Sequence, residues 1–476
     1  MDRPRAFPRL TRRDFLRSAS LGAAGALAAG CAAARKEEAA VNAAAPARKP
    51  NIIFILADDL GYGDLGCYGQ KQIQTPHINR LAAEGVRFTQ AYAGSTVCAP
   101  SRCCLMTGLH TGHAYVRGNT EVQPEGQLPL PAGTATVAGA LRAAGYATGL
   151  IGKWGLGGPG SVGEPNRQGF DYAFGYLCQR MAHNYYPPYL WRNGEKVPLP
   201  NEVTKGVATK KVQYSHDLFA DEALAFVEQS AGRPFFLYLA LTIPHANNEA
   251  GRQGMEVPTA EPYADKPWPE AQRNHAAMIT RMDRDVGRLM ETLERLGLDQ
   301  NTIVFFTSDN GPHREGGADP NFFDSSGPLR GIKRDLYEGG IRVPMLARWP
   351  GRIPAGSVSD YAWAFWDFLP TACDLAGAEP PGGIDGVSVV PALLGRAEAA
   401  HPYLYWEFHE GGFSQAVRMG GFKAVRRRGR ATEIYDLAAD LGETKDLVAA
   451  RPDLVAKAED LFRTARTESP QFPVRA

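Results

Sequence analysis

The chain has 476 residues, 44% hydrophobic and 22% charged, which is enough apolar material for a large buried core. Its 52 lysines and arginines balance 51 aspartates and glutamates, so no global field draws it toward nucleic acid or an anionic membrane. Fifty-two glycines and 35 prolines are scattered among apolar runs without an internal repeat, which speaks against a low-complexity chain.

The N-terminus reads as a targeting segment. Thr11-Arg12-Arg13-Asp14-Phe15-Leu16-Arg17 sets twin arginines before an apolar pair, and a mild Ala/Gly/Leu run from Leu21 to Ala29 leads to Gly30-Cys31. Residues 1–31 resemble a twin-arginine export signal ending at a lipoprotein site. Leu27 stands one place further from Cys31 than is usual, so acylation of Cys31 and simple cleavage both stay open. The run is too short and too rich in Gly and Ala to span a bilayer, and the mature chain is expected to carry no transmembrane segment. The expected location is the periplasm of a bacterium, or a lipoprotein anchor facing out of the cytoplasm, with the twin-arginine machinery as a partner. Residues 32–49 read as a flexible tether. Setting aside Cys31 and Cys98, the remaining Cys67, Cys103, Cys104, Cys178 and Cys373 are odd in number and give no disulfide framework.

From residue 50 to about 395, short apolar runs alternate with amphipathic ones, the pattern of an α/β fold whose mostly parallel sheet is covered by helices. Asn51–Ala57 reads as a central strand stopping at Asp58-Asp59, and Tyr146–Ile151 as a second stopping before Lys153. Phe235–Leu241 is a third, before His245, and Asn301–Thr307 a fourth, ending at Asp309-Asn310. Helices are expected from Pro76 toward Gly85 with Thr75 as cap, and over Thr136–Ala144, His216–Gln229 and Glu270–Leu296. Ligands of open α/β sheets bind outside the carboxyl ends of the strands, so the four polar ends are expected to converge on one site. Exposed loops alone would explain any one of them.

Residues 396–476 change character and read as a small C-terminal α+β subdomain. Pro402–Phe408 and Gln415–Val425 look like antiparallel strands, followed by Thr432–Leu437 and a helix from Pro452 to about Arg466. Arg426, Arg427, Arg428 and Arg430 form a basic run that reads first as a solvated hairpin and second as a contact for an anionic polymer.

Cys98-Ala99-Pro100-Ser101-Arg102 precedes Cys103-Cys104-Leu105-Met106-Thr107-Gly108. The cysteine lies just before an expected helix start, where backbone N–H groups favour negative charge, and Arg102 adds a permanent cation. A cysteine in an apolar pocket is the plain alternative. Cys-x-Pro-Ser-Arg followed by an apolar run and Thr-Gly resembles the signature of the type I sulfatase family, and the likeness extends from about Pro50 to about Leu447. It implies an alkaline-phosphatase-like fold and conversion of Cys98 to formylglycine by a maturation enzyme. It also implies hydrolysis of a sulfate ester on a sulfated carbohydrate, with aryl sulfates as artificial substrates. Asp58, Asp59, Asp309 and Asn310, hard oxygen donors, would hold calcium, or magnesium, with residue 98 as a further ligand.

The resemblance further implies that one hydroxyl of the hydrated aldehyde attacks sulfur and that the second expels sulfate. Arg102, Lys153 and Lys333 would neutralise the sulfuryl oxygens, and His245 with Lys333 would assist the leaving alcohol, His245 as general acid. The family commonly reads Gly-Lys-Trp-His-Leu-Gly, whereas this chain has Gly152-Lys153-Trp154-Gly155-Leu156-Gly157. His183, or else His113, is expected to fill the missing histidine's place, and Arg117 is a further candidate for substrate contact. Residues 177–193 and 247–268 are long connections suited to substrate selection. Two other readings stay open: a phosphate or phosphonate ester hydrolase of the same fold, and a non-catalytic protein that binds sulfated glycans.

Overall fold

The computed structural model describes residues 49–396 and 401–474. The twin-arginine segment, Cys31 and nearly all of the tether lie outside them. The run Asn51–Asp58 forms strand β1, with every residue buried. Ile52, Phe54 and Leu56 point into one apolar layer and Ile53, Ile55 and Ala57 into another, because successive side chains of a strand face opposite sides. A strand buried on both faces needs no polar alternation, which is why its sequence is continuously apolar.

Helix α1 (Pro76–Ala83) and strand β2 (Val86–Phe88) follow, then α2 (Cys98–Thr107), α3 (Val137–Ala143) and strand β3 (Ala147–Lys153). Strands β4 (Tyr172–Tyr176), β5 (Tyr189–Arg192) and β6 (Glu195–Pro198) lead to α4 (Ser215–Ser230), β7 (Phe235–Pro244), α5 (Glu270–Arg295) and β8 (Thr302–Ser308). Strands β9 (Met345–Arg348) and β10 (Ser357–Ser359) and helix α6 (Phe368–Ala376) complete this part. The ten strands form one sheet in the order β10-β2-β9-β8-β1-β7-β3-β4-β5-β6. From β8 through β4 neighbouring strands are parallel, and antiparallel pairs flank them on both sides. Buried residues of α1, α4 and α5 share one layer, and those of α2, α3 and α6 share the other.

Each of the four expected strands is present and ends beside the polar residue read for it. Two local expectations are corrected. Thr75 does not cap α1: its hydroxyl accepts from Gly66 N, and Asp283 of α5 takes the free N–H groups of His77 and Ile78 at 3.2 and 2.7 Å. A carboxylate from a packed helix satisfies the same orphan donors that a local cap would. The Gln415–Val425 run is two strands, β12 (Ser414–Met419) and β13 (Phe422–Arg426), joined by a turn at Gly420-Gly421. With β11 (Leu404–Phe408) and β14 (Glu433–Asp436) they make a four-stranded antiparallel sheet. Tyr405, Val417, Ala424 and Ile434 pack on helix α7 (Pro452–Thr464), while Trp406, Ala416, Val425 and Tyr435 join the main core. Of the basic run, Arg426 pairs with Glu459 and Arg427 with Glu433, while Arg428 and Arg430 are exposed.

Candidate active site

Strands β1, β3, β7 and β8 lie side by side and parallel, so the chain leaves all four at the same edge of the sheet. Register does the rest. Asp58 closes β1, and Asp59 turns away with a positive φ of 65° while its N–H donates to Asp309 Oδ1 at 3.1 Å. Asp309 follows β8, its own N–H bonded to Ala57 O. Lys153 closes β3 and reaches Asp58 Oδ2 at 2.6 Å. His245 follows β7, with Nε2 3.4 Å from Asp59 Oδ2.

Helix α2 enters from the adjoining layer. Val97 is extended and Cys98 begins the helix, its Sγ 3.3 Å from Asp58 Oδ1. One turn on, Arg102 is fully buried and every nitrogen has a partner: Nε and Nη2 donate to Asp309 Oδ2 at 3.2 and 2.7 Å, and Nη1 to the Lys153 carbonyl. Lys333 arrives on a loop whose backbone N–H is held by Pro312 O. Its ammonium donates to Asp59 Oδ2 at 2.7 Å, to His245 Nε2 at 3.0 Å and to Glu315 Oε2 at 3.2 Å. Nine predicted residues therefore meet: Asp58, Asp59, Cys98, Arg102, Lys153, His245, Asp309, Asn310 and Lys333.

Burial would raise the Asp58 carboxyl, but the cations Lys153, Arg102 and Lys333 overcome it and hold Asp58 well below the usual range. Asp309 goes the other way: burial, then the charge of Asp58, pushes it up to about 7, against Arg102 and Lys153. Burial and then Lys333 keep His245 neutral. Since His245 Nδ1 faces Ala246 O at 2.6 Å, its proton sits there and Nε2 is a bare acceptor for the Lys333 ammonium. Lys333 and Lys153 are both raised, their carboxylate neighbours outweighing burial, and stay charged.

The donor set fits a hard divalent cation. Acidic oxygens of Asp58 and Asp59 lie within 4.8 Å of one another and of Cys98 Sγ and His245. Asn310 donates from Nδ2 to Asp59 Oδ1 at 2.6 Å, yet its Oδ1 is buried without a partner. An orphaned amide oxygen beside a carboxyl driven up by its neighbour marks a place where positive charge is missing.

A cavity of about 460 Å³ opens above Cys98, lined by Lys153, Gln179, Arg180, His183, His245 and Lys333. His183 stacks on His245 with ring centres 4.9 Å apart and places Nδ1 3.1 Å from Glu249 Oε2. It does not fill the space beside Gly155. There φ is +80°, and a Cβ would come within 2.3 Å of Gln179 Nε2, so the Gln179 amide occupies that volume. His113 and Arg117 stand elsewhere, which corrects their reading as substrate contacts. His113 binds Asp385 at 2.8 Å and stacks on His110, and Arg117 donates to Glu407 at 2.8 Å and to the carbonyls of Ala114 and Thr467. Arg117 is 2% exposed, and a buried guanidinium must spend its donors on such partners.

Glu315 escaped the sequence reading. It bonds both Lys333 and Arg334, and although burial opposes it, Lys333 leads the charges that pull it down to about 2. Its signal was position, six residues beyond Asp309 in the same loop. Gln179 and Glu249 fall inside the two long connections read as substrate loops.

A family model described as Sulfatase matches residues 50–378, and one described as N-sulphoglucosamine sulphohydrolase, C-terminal, matches residues 332–462. The chain belongs to the sulfatase family. It is thus a sulfuric ester hydrolase with an alkaline-phosphatase-like fold. This sulfatase is 37% identical to arylsulfatase A of Homo sapiens over 413 residues, 80% of this chain and 75% of that protein. It is 33% identical to N-acetylgalactosamine-6-sulfatase of Canis lupus familiaris over 407 residues, 81% and 73% of the two chains. The crystal structure of Ps i-CgsB in complex with k-i-k-neocarrahexaose superposes with a TM-score of 0.76 at 30% identity, covering 88% of this chain and 93% of that one.

Proposed function

We propose that the chain hydrolyses the sulfate ester of a sulfated carbohydrate, with Cys98 converted to formylglycine and calcium held by Asp58, Asp59, Asp309 and Asn310. The observation that carries this reading is the placement of Cys98 Sγ 3.3 Å from Asp58, inside a ring of carboxylates and cations from four strand ends. Bound there, the hydrated aldehyde would supply the oxygen nucleophile, and the cation would lower its proton affinity and offset sulfate charge.

The side chains account for the rest. Arg102, clamped by Asp309 and the Lys153 carbonyl, keeps a fixed charge one helical turn from position 98. Lys153 and Lys333 line the cavity and offer ammonium hydrogens to the non-bridging sulfate oxygens. Lys333 Nζ donates to His245 Nε2 across 3.0 Å, and from this pair, Lys333 carrying the proton, the departing alkoxide is protonated. His183, stacked on His245 and oriented by Glu249, steadies that pair and lines the same cavity. Asn119, Gln127 and Gln179 on the cavity wall give amide groups suited to sugar hydroxyls. The Arg12-Arg13 segment supports a place outside the cytoplasm, and a formylglycine-generating maturase is the partner this chemistry requires.

The test is the mass of the Cys98 peptide after production with the maturase, together with turnover of 4-nitrophenyl sulfate and the matching phosphate and phosphonate esters. The expected result is an aldehyde at position 98, preference for the sulfate, and loss of at least about three orders of magnitude in Cys98→Ala. Faster phosphate or phosphonate turnover would move the chain to that class. A persistent thiol with no turnover would make it a binder.

A further inference from the structure

Two loops leave the active site side by side. One follows His245 and runs through Asn247 to Gly254; the other follows Asp309-Asn310 and runs to Gly317. His313 of the second binds the carbonyl of Pro244, the last residue of β7 just before the first, at 3.1 Å. Gly316 and Gly317 have φ of +65° and +86°, and side chains there would come within 2.4 Å of Ala246 Cβ and 2.5 Å of Arg252 O. Glycine is therefore what lets the two loops touch.

Between them lies a second cavity of about 650 Å³, lined by Asn248, Arg252, Arg314, Glu315 and the glycines. Asn248 also lines the cavity above Cys98, and Glu315 bonds Lys333, so the two hollows adjoin. Their arginines differ. On the first cavity's rim Arg180 lies 3.6 Å from both Glu121 and Glu249, and Arg334 lies 2.7 Å from Glu315 and 3.4 Å from Glu410. Arg252 and Arg314 are exposed and form no ion pair among the described residues. A concave wall with two uncommitted guanidiniums is made for an anion, and guanidinium binds sulfate or carboxylate through paired hydrogen bonds.

We propose that this second hollow is an anion subsite that receives a sulfate or carboxylate on a neighbouring sugar, so that the substrate is a polyanionic oligosaccharide and not a lone sulfated sugar. The proposal rests on the sulfated-carbohydrate reading and adds the length and charge of the ligand. The test is titration of a labelled dextran sulfate hexasaccharide into the full-length protein at low salt. Arg252→Ala/Arg314→Ala should weaken binding roughly tenfold. Arg142→Ala/Arg233→Ala, which removes the same charge from two exposed arginines where the chain enters β3 and β7 at the opposite edge of the sheet, should leave it unchanged, and all three proteins should turn over 4-nitrophenyl sulfate alike. Equal affinity in Arg252→Ala/Arg314→Ala and parent would overturn the subsite, as would an equal loss in Arg142→Ala/Arg233→Ala. Absence of sulfate release from sulfated carbohydrates by the parent would end the sulfated-carbohydrate reading alone, because the titration decides the subsite without turnover.

Discussion

Cys98 is 4% exposed, and burial, then the charge of Asp58, pushes its thiol well above the ordinary value. A protonated thiol is a poor nucleophile, which fits the proposal above that residue 98 acts in a modified form. His183 deserves its own measurement because no spacing in the chain marks it. Replacing it with alanine should lower kcat for sulfate release by roughly ten- to a hundredfold with little change in KM, as expected when a group acts in the transition state. Unchanged turnover would remove it from the mechanism. The nine converging residues were legible because each belongs to the Cys98 motif, to a strand end, or to the Lys333 segment that resembles the family. Arg117 and His113 were not, since nothing near them in sequence reveals that Glu407 and Asp385 wait 290 and 272 residues later.

At the scale of elements, Glu407 in β11 binds the C-terminal sheet to the loop after α2. It accepts from Arg117 and Arg466, both at 2.8 Å, lies 3.0 Å from a His409 ring nitrogen, and is fully buried. Burial opposes its charge, but His409, Arg117 and Arg466 pull it from 4.5 down to about 2. A folded value below the unfolded one means stability that is present above the unfolded value and is lost as pH falls through the folded one. Glu407→Gln should therefore cost about 3 kcal/mol at neutral pH in urea unfolding, and the gap from the parent should narrow as pH drops from about 5 toward 3. A gap independent of pH would assign the loss to packing. Buried strands announced themselves in sequence because a strand covered on both faces is apolar throughout. The cap on α1 did not, because Asp283 stands more than 200 residues from the helix it serves.

For the whole molecule, a cation at Asp58, Asp59, Asp309 and Asn310 would tie together the ends of β1 and β8, two central strands of the sheet. Calcium at a hundred times its dissociation constant should add about 2.7 kcal/mol, raising Tm by about 3 °C over protein stripped with chelator. Asn310→Leu should abolish most of that rise, and an equal rise in the variant would place the ion elsewhere.

The middle of the sheet also sets a schedule for the chain's birth. β1 emerges from the ribosome early, but the partners that cover its edges, β7 and β8, end at residues 244 and 308. At typical synthesis speeds the segment Asn-Ile-Ile-Phe-Ile-Leu-Ala waits roughly 10–40 s with both edges bare. Such a sticky, unpaired ribbon invites a holding chaperone. The maturation proposed for residue 98 would find its cysteine most open in the same interval, before the hydrophobic layers shut around it.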